Sequence, residues 1–116
     1  MSEFLNKAIT AHSAWKGRLR TAVDGGEVPD PATVRVDNLC DLGKWIHGEG
    51  KELEARPEFQ DLRVKHARFH AAAAAVINLV VAKKTAEAAQ SLDTGEFAHA
   101  SREVVAAITK LKAGLP

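Results

Sequence analysis

The sequence has 116 residues, enough for one domain that buries a core without disulfide staples. Its 16 basic and 15 acidic side chains nearly balance, which excludes the strongly basic surface typical of nucleic-acid-binding domains. The N-terminus lacks a secretory signal pattern, and the longest apolar stretch, residues 71–82, is shorter than the about 20 residues that span a bilayer. A single cysteine, Cys40, favours a reduced compartment. We therefore expect one cytoplasmic domain over residues 1–116 that binds neither nucleic acid nor membrane.

The first predicted element is a helix over residues 2–23. Apolar side chains recur there at steps of three and four, as on one face of a helix. Ser2 is a candidate N-cap, and the sequence Asp24-Gly25-Gly26 is a stop signal. The following residues, 24–36, contain two prolines and two glycines and are predicted to form a long loop.

Three further helices are predicted after this loop. The second covers residues 38–49, with Asp37 or Asn38 as its cap. The third begins at Pro57 and continues to Ser91 because no glycine or proline interrupts it, and the fourth covers residues 94–113. These elements predict an all-α protein, an antiparallel four-helix bundle with a long loop between helices one and two.

Four metal-ligating side chains lie on or near the apolar faces of these helices. His66 and His70 are four residues apart, a spacing that places two helical side chains about 5–6 Å apart at Cβ. His12 lies in the apolar stripe of the first helix, and Cys40 lies in the second. Three imidazoles and one thiolate would complete a tetrahedral Zn²⁺ site. However, a buried histidine is more often a hydrogen-bonded core residue, and spacing alone leaves both interpretations open.

Three motifs around these residues resemble the chemoreceptor zinc-binding (CZB) domain family of bacterial chemoreceptors and diguanylate cyclases. They are HSAWKGRL at 12–19, CDLGKWIHGEG at 40–50 and HARFHAAA at 66–73. The resemblance implies a helical bundle, commonly a homodimer, in which His12, Cys40, His66 and His70 bind Zn²⁺.

Nearby polar residues have weaker indications. Asp37, three residues before Cys40, matches an acid frequent in the family pattern, and it is either a second-shell partner of a ligand or simply an N-cap. His47 replaces a tyrosine frequent in the family, and we expect it to be exposed or second-shell rather than a ligand. His99 is expected at the surface.

A site with four protein ligands has no open position for a catalytic water, so we expect no enzyme. The resemblance implies a sensory module that responds to zinc or to oxidants such as hypochlorous acid through release of the Cys40 thiolate. Its partner would be a chemoreceptor or diguanylate cyclase, in cis or in trans. The alternative is a zinc-stabilised homodimerisation module that does not switch. A metalloenzyme is a third class, but a di-iron bundle lacks the required Glu-x-x-His pairs.

Overall fold

All regular secondary structure in residues 2–115, the part of the chain described by a computed structural model, is helical. In chain order the elements are α1 (Ser2–Val23), α2 (Pro31–Arg35), α3 (Asp41–Ile46), a 3₁₀ helix (Glu49–Leu53), α4 (Pro57–Val81), α5 (Thr85–Asp93) and α6 (Glu96–Ala113). Residues 2–115 contain no β-strand, so the all-α class is confirmed. Residues 1 and 116 of the predicted domain lie outside the described range.

A bundle of four helices, α1, α4, α5 and α6, forms the body of the molecule, and every pair among them is in contact. With 25 residues, α4 is about 37 Å long and follows much of the molecule's longest dimension. The largest buried side chains come from these helices and from α3: Leu5, Leu19, Leu42, Ile46, Phe59, Leu62, Phe69, Ile77, Leu92, Phe97, Ile108 and Leu111.

The prediction of one continuous third helix over 57–91 is wrong, because this segment forms two helices, α4 and α5. The backbone N–H of Lys83 donates to the Val80 carbonyl, and that of Lys84 donates to the Leu79 carbonyl. Lys83 has a φ of 63°, the left-handed conformation that usually ends a helix at glycine. The sequence carries no glycine at this turn, so the break has no residue-type signal.

The predicted loop and second helix also differ from the structure. Within the loop, Pro31 and the capping carboxylate of Asp30 begin the short helix α2. The second helix begins only at Asp41, and Cys40, not Asp37 or Asn38, is its N-cap. Helix α3 then ends at Ile46, before the 3₁₀ helix.

These two short helices lie against the long ones and position residues 30–46. Helix α2 packs against α4 through the buried Val34, and α3 packs against α1. The Trp45 ring lies between the Phe4 ring of α1 and the Phe59 ring of α4, at centroid distances of 5.7 and 5.8 Å. This aromatic packing holds α3, and with it the preceding Cys40, beside the bundle.

Candidate metal centre

His12 projects from α1 into the interior, where only 2% of it is exposed. Its Nδ1 lies 2.8 Å from the carbonyl oxygen of Ala8, one turn earlier on the same helix. A carbonyl oxygen only accepts, so Nδ1 carries the hydrogen and the neutral ring has a lone pair at Nε2. The helix itself thus aims an unprotonated nitrogen away from its axis.

His66 and His70 lie one turn apart on the inner face of α4, with their Nε2 atoms 3.1 Å apart. The Nδ1 atom of His70 donates to the Val34 carbonyl of α2, 2.9 Å away, which fixes its tautomer as for His12. His66 is fully buried, and its Nδ1 has no hydrogen-bond partner within residues 2–115. The Nε2 atoms of the two rings therefore face each other, and that of His70 presents a lone pair because its hydrogen is on Nδ1.

Cys40 supplies the fourth donor from the segment that precedes α3. Its Sγ accepts a hydrogen bond from the Gly43 backbone N–H at 3.3 Å. The same sulfur lies 3.9 Å from Nε2 of His12, 3.2 Å from Nε2 of His66 and 3.5 Å from Nε2 of His70. The four ligand candidates predicted from the sequence thus meet at one point.

These separations fit a tetrahedral metal ion. Zinc bond lengths predict edges of about 3.3 Å between two nitrogens and about 3.6 Å between nitrogen and sulfur. The 3.1 Å between Nε2 of His66 and Nε2 of His70, and the 3.2–3.9 Å from the three Nε2 atoms to the sulfur, lie around these values. All four donor atoms lie within 4.8 Å of one another. The Nε2 lone pairs of at least His12 and His70 point into this cluster. A bound cation would satisfy these lone pairs, which hydrogen bonds within the cluster alone do not.

Burial keeps the three imidazoles neutral, which is the form that binds metal. Desolvation lowers the pKa of His66 to about 2, with further lowering by His70 and His12. Desolvation also lowers the pKa of His12 and of His70, although hydrogen bonds to backbone carbonyls oppose it. For the Cys40 thiol, burial raises the pKa, so without a nearby cation the protonated thiol is favoured.

The remaining predicted polar residues lie outside this cluster. Asp37, the second-shell candidate, has its carboxylate 3.4 Å from Nε2 of His47. Its charge favours protonation of His70, raising that pKa, but within the described residues it makes no hydrogen bond to a ligand-candidate ring. His47 is partly exposed and outside the metal-ligating group, and His99 is exposed and pairs with Glu103 on α6.

Sequence reasoning missed the backbone groups that orient the rings. The Ala8 carbonyl is a normal helical acceptor four residues before His12, so any helical histidine offers this possibility. The Val34 carbonyl reaches His70 only because α2 forms and packs on α4. No residue type marks such a contact, since every residue carries a carbonyl.

Comparison with known proteins gives one match. The family model described as the chemoreceptor zinc-binding domain matches residues 12–77. Searches of curated proteins and of solved structures return no match. Within residues 2–115, no helix combines the length and hydropathy that a membrane span requires. Because the matched segment covers more than half of the sequence and contains all four clustered donors, this chain belongs to the chemoreceptor zinc-binding domain family.

Proposed function

We propose that this chain is a cytoplasmic zinc-binding sensory module that signals by releasing Cys40 from the metal centre. The observation that carries the proposal is the convergence of three histidines and one cysteine from α1, α4 and the segment before α3. This donor set suits Zn²⁺, which accepts both nitrogen and sulfur, and zinc is the metal of the family.

The protein's own contribution is to hold these donors ready. His12, His66 and His70 are fixed on long helices of the bundle, and their rings stay neutral at pH 7. Bound Zn²⁺ would keep the Cys40 sulfur deprotonated and favour the assembled arrangement of the helices. The proposed site is closed by four protein ligands, so we assign the chain a regulatory role and not a catalytic one.

Of the four donors, Cys40 is the one that is flanked by the least regular structure. The residues before it, 36–39, have no regular helix, and Val36 and Leu39 are exposed. The helix after it, α3, has only six residues. Loss of the sulfur–metal bond would therefore loosen residues 36–46, leaving the aromatic packing of Trp45 to hold α3, while α1 and α4 keep their packing.

Oxidation gives a second route to the same release. The Cys40 thiolate attacks the chlorine of hypochlorous acid, forming an S–Cl bond and releasing hydroxide. Water then replaces the chlorine, which leaves a sulfenic acid, chloride and a proton. The sulfur has lost two electrons to chlorine, and a sulfenic acid is a weaker metal ligand than a thiolate.

The proposed partner is a bacterial signalling protein, a chemoreceptor or a diguanylate cyclase, linked in cis or bound in trans. We also propose a homodimer, in which an exposed row on α4 contacts a second copy. This row consists of Val64, Ala67, Ala71 and Ala75. The same row favours the second candidate function, a permanent zinc-stabilised dimerisation module without switching.

Hydrogen exchange of the zinc-loaded protein tests the switch. We expect hypochlorous acid, or removal of zinc by a chelator, to accelerate amide exchange in residues 36–48 and to leave residues 62–77 of α4 protected. Cys40→Ser should bind zinc more weakly and lose the response to hypochlorous acid. A static module would show equal protection of residues 36–48 with and without oxidant, and that result would reject the sensor.

Metal analysis supplies the control for the ligand set. Purified wild-type protein should contain one zinc per chain by mass spectrometry, and His70→Ala should contain much less. His99→Ala, at an exposed position on α6, should retain the wild-type content.

A further inference from the structure

Two grooves reach Cys40. The first has a volume of about 320 Å³ and is lined by residues of α1, including Phe4, Ala8 and His12. The second has a volume of about 310 Å³ and is lined by α1 and α2 residues, including Trp15, Val34 and His70. Since one water in liquid occupies about 30 Å³, each groove has room for a small molecule beside the sulfur.

Leu39 is shared by these two grooves. It lines both of them, together with Cys40, which follows it in the chain. Its side chain takes no part in the hydrophobic core, and 52% of Leu39 is exposed. Among the described residues it is the most exposed leucine. This leucine therefore lies outside the core and next to the reactive sulfur.

The charges around the grooves do not favour one type of reagent. The first groove has the ammonium of Lys7 and the carboxylate of Asp41 on its lining. The second has the guanidinium of Arg18, stacked 3.9 Å over the Trp15 ring, and the carboxylate of Asp30. Each groove thus pairs one positive with one negative side chain, while the rest of each lining is mostly apolar.

We propose that Leu39 is a specificity-determining residue, which limits by size and not by charge the electrophiles that reach the Cys40 sulfur. The inference rests on the proposed function, in which reaction at Cys40 is the trigger. Small uncharged reagents enter either groove and reach Sγ. Bulky reagents must displace the Leu39 side chain, which lines both grooves beside the sulfur.

Methanethiosulfonates test this proposal because their transferred group varies while their chemistry stays constant. The Cys40 thiolate attacks the sulfenyl sulfur, a mixed disulfide forms, and methanesulfinate leaves with the electron pair. Rates are measured by mass spectrometry on zinc-loaded and on metal-free protein, each divided by the rate for the same protein unfolded in urea. Cys40 is the single cysteine, so the modified residue is unambiguous.

For the wild type, we expect folding to slow the benzyl reagent about tenfold more than the methyl reagent, which corresponds to about 1.4 kcal/mol of additional barrier. Leu39→Ala should reduce this difference to about twofold or less, whereas Leu39→Met, of similar volume, should preserve it. Val28→Ala is the control, because Val28 is also exposed, at 41%, but lines neither groove. The anionic sulfonatoethyl and cationic trimethylammonioethyl reagents should be slowed to similar extents.

Two results would overturn the assignment: a size difference that Leu39→Ala leaves unchanged, or a preference for one charge that exceeds the preference for small size. Either would leave the sensor proposal standing, because that proposal depends on hydrogen exchange in residues 36–48. Conversely, unchanged hydrogen exchange after modification of Cys40 would reject the sensor and leave the measured size selection intact.

Discussion

Gly43 helps to position Cys40, which lies three residues before it in the chain. A Cβ atom built on Gly43 would lie 1.7 Å from the carbonyl oxygen of Asp37, so only glycine allows α3 to approach this segment. The backbone N–H of the same residue donates to the Cys40 sulfur. The close approach and the hydrogen bond together fix where the sulfur lies relative to the three histidines.

We therefore predict that Gly43→Ala weakens zinc binding and destabilises the protein. The added methyl group must push α3 away from residue 37, because the obstacle is backbone. We expect a loss of about 1–3 kcal/mol in the free energy of unfolding and about tenfold or more in zinc affinity, as when a residue supporting a ligand is changed. Urea unfolding and competition with a fluorescent zinc chelator measure the two effects.

Gly17→Ala is the control for this substitution. Gly17 is in the interior of α1, and a Cβ there meets no atom within 4 Å. Alanine should stabilise the helix by up to about 1 kcal/mol without changing zinc affinity. Equal zinc affinities for Gly43→Ala and Gly17→Ala would contradict the role assigned to Gly43.

At the scale of elements, the short helix α2 connects the loop after α1 to the metal centre. The Asp30 carboxylate accepts hydrogen bonds from the Ala32 N–H and the Thr33 hydroxyl, which stabilises the first turn. The Val34 carbonyl in this helix then accepts from Nδ1 of His70. An exposed cap thereby supports a buried ligand candidate.

We predict that Asp30→Ala weakens zinc binding although Asp30 touches no donor atom of the cluster. Loss of the cap costs α2 about 1 kcal/mol and loosens the carbonyl that orients His70, for which we expect about a tenfold lower zinc affinity. Chelator competition measures the affinity. Asp24→Ala, an exposed aspartate after α1, is the control and should bind zinc as the wild type does. An unchanged affinity in Asp30→Ala would show that α2 does not position His70.

Helix ends illustrate how much local sequence reveals about elements. After helix α1, which ends at Val23, Gly25 has a φ of 96° and the N–H of Gly26 donates to the Thr21 carbonyl. Helix α4 ends with the same hydrogen-bond pattern around Lys83. Glycine in the sequence predicts the first end, whereas lysine gives no signal for the second. Left-handed backbone costs lysine about 1–2 kcal/mol, and the packing of α5 against α1, α4 and α6 is available to offset it.

At the scale of the whole molecule, three neutral histidines buried between α1 and α4 couple stability to pH. In the unfolded chain each has the ordinary pKa of 6.5, while in the folded protein burial lowers the pKa of His66 to about 2. Below pH 6.5 the unfolded state therefore binds more protons at these histidines than the folded state does. Folding stability is complete above pH 6.5 and falls as the pH decreases.

For the metal-free protein, we predict that the free energy of unfolding falls between pH 6.5 and pH 5. His66 alone contributes a loss of about 2 kcal/mol, at about 1.4 kcal/mol per pH unit. His12 and His70, whose pKa values are also lowered, add to the loss in the same direction. Urea unfolding in the presence of a chelator measures it. His66→Gln should show a shallower pH dependence, and equal stabilities of the wild type at both pH values would contradict the prediction.

Local patterns in the sequence determined the helical class, the inward position of the three histidines and the donor types for one metal ion. Each depends on the 3.6-residue period or on side-chain chemistry, which neighbouring residues specify. The tertiary structure decided which helices form the bundle, brought the Cys40 sulfur to 3.2–3.9 Å from three imidazole nitrogens, and supplied the Val34 carbonyl. These features depend on contacts between residues far apart in the chain, and their geometry follows only when all helices pack together.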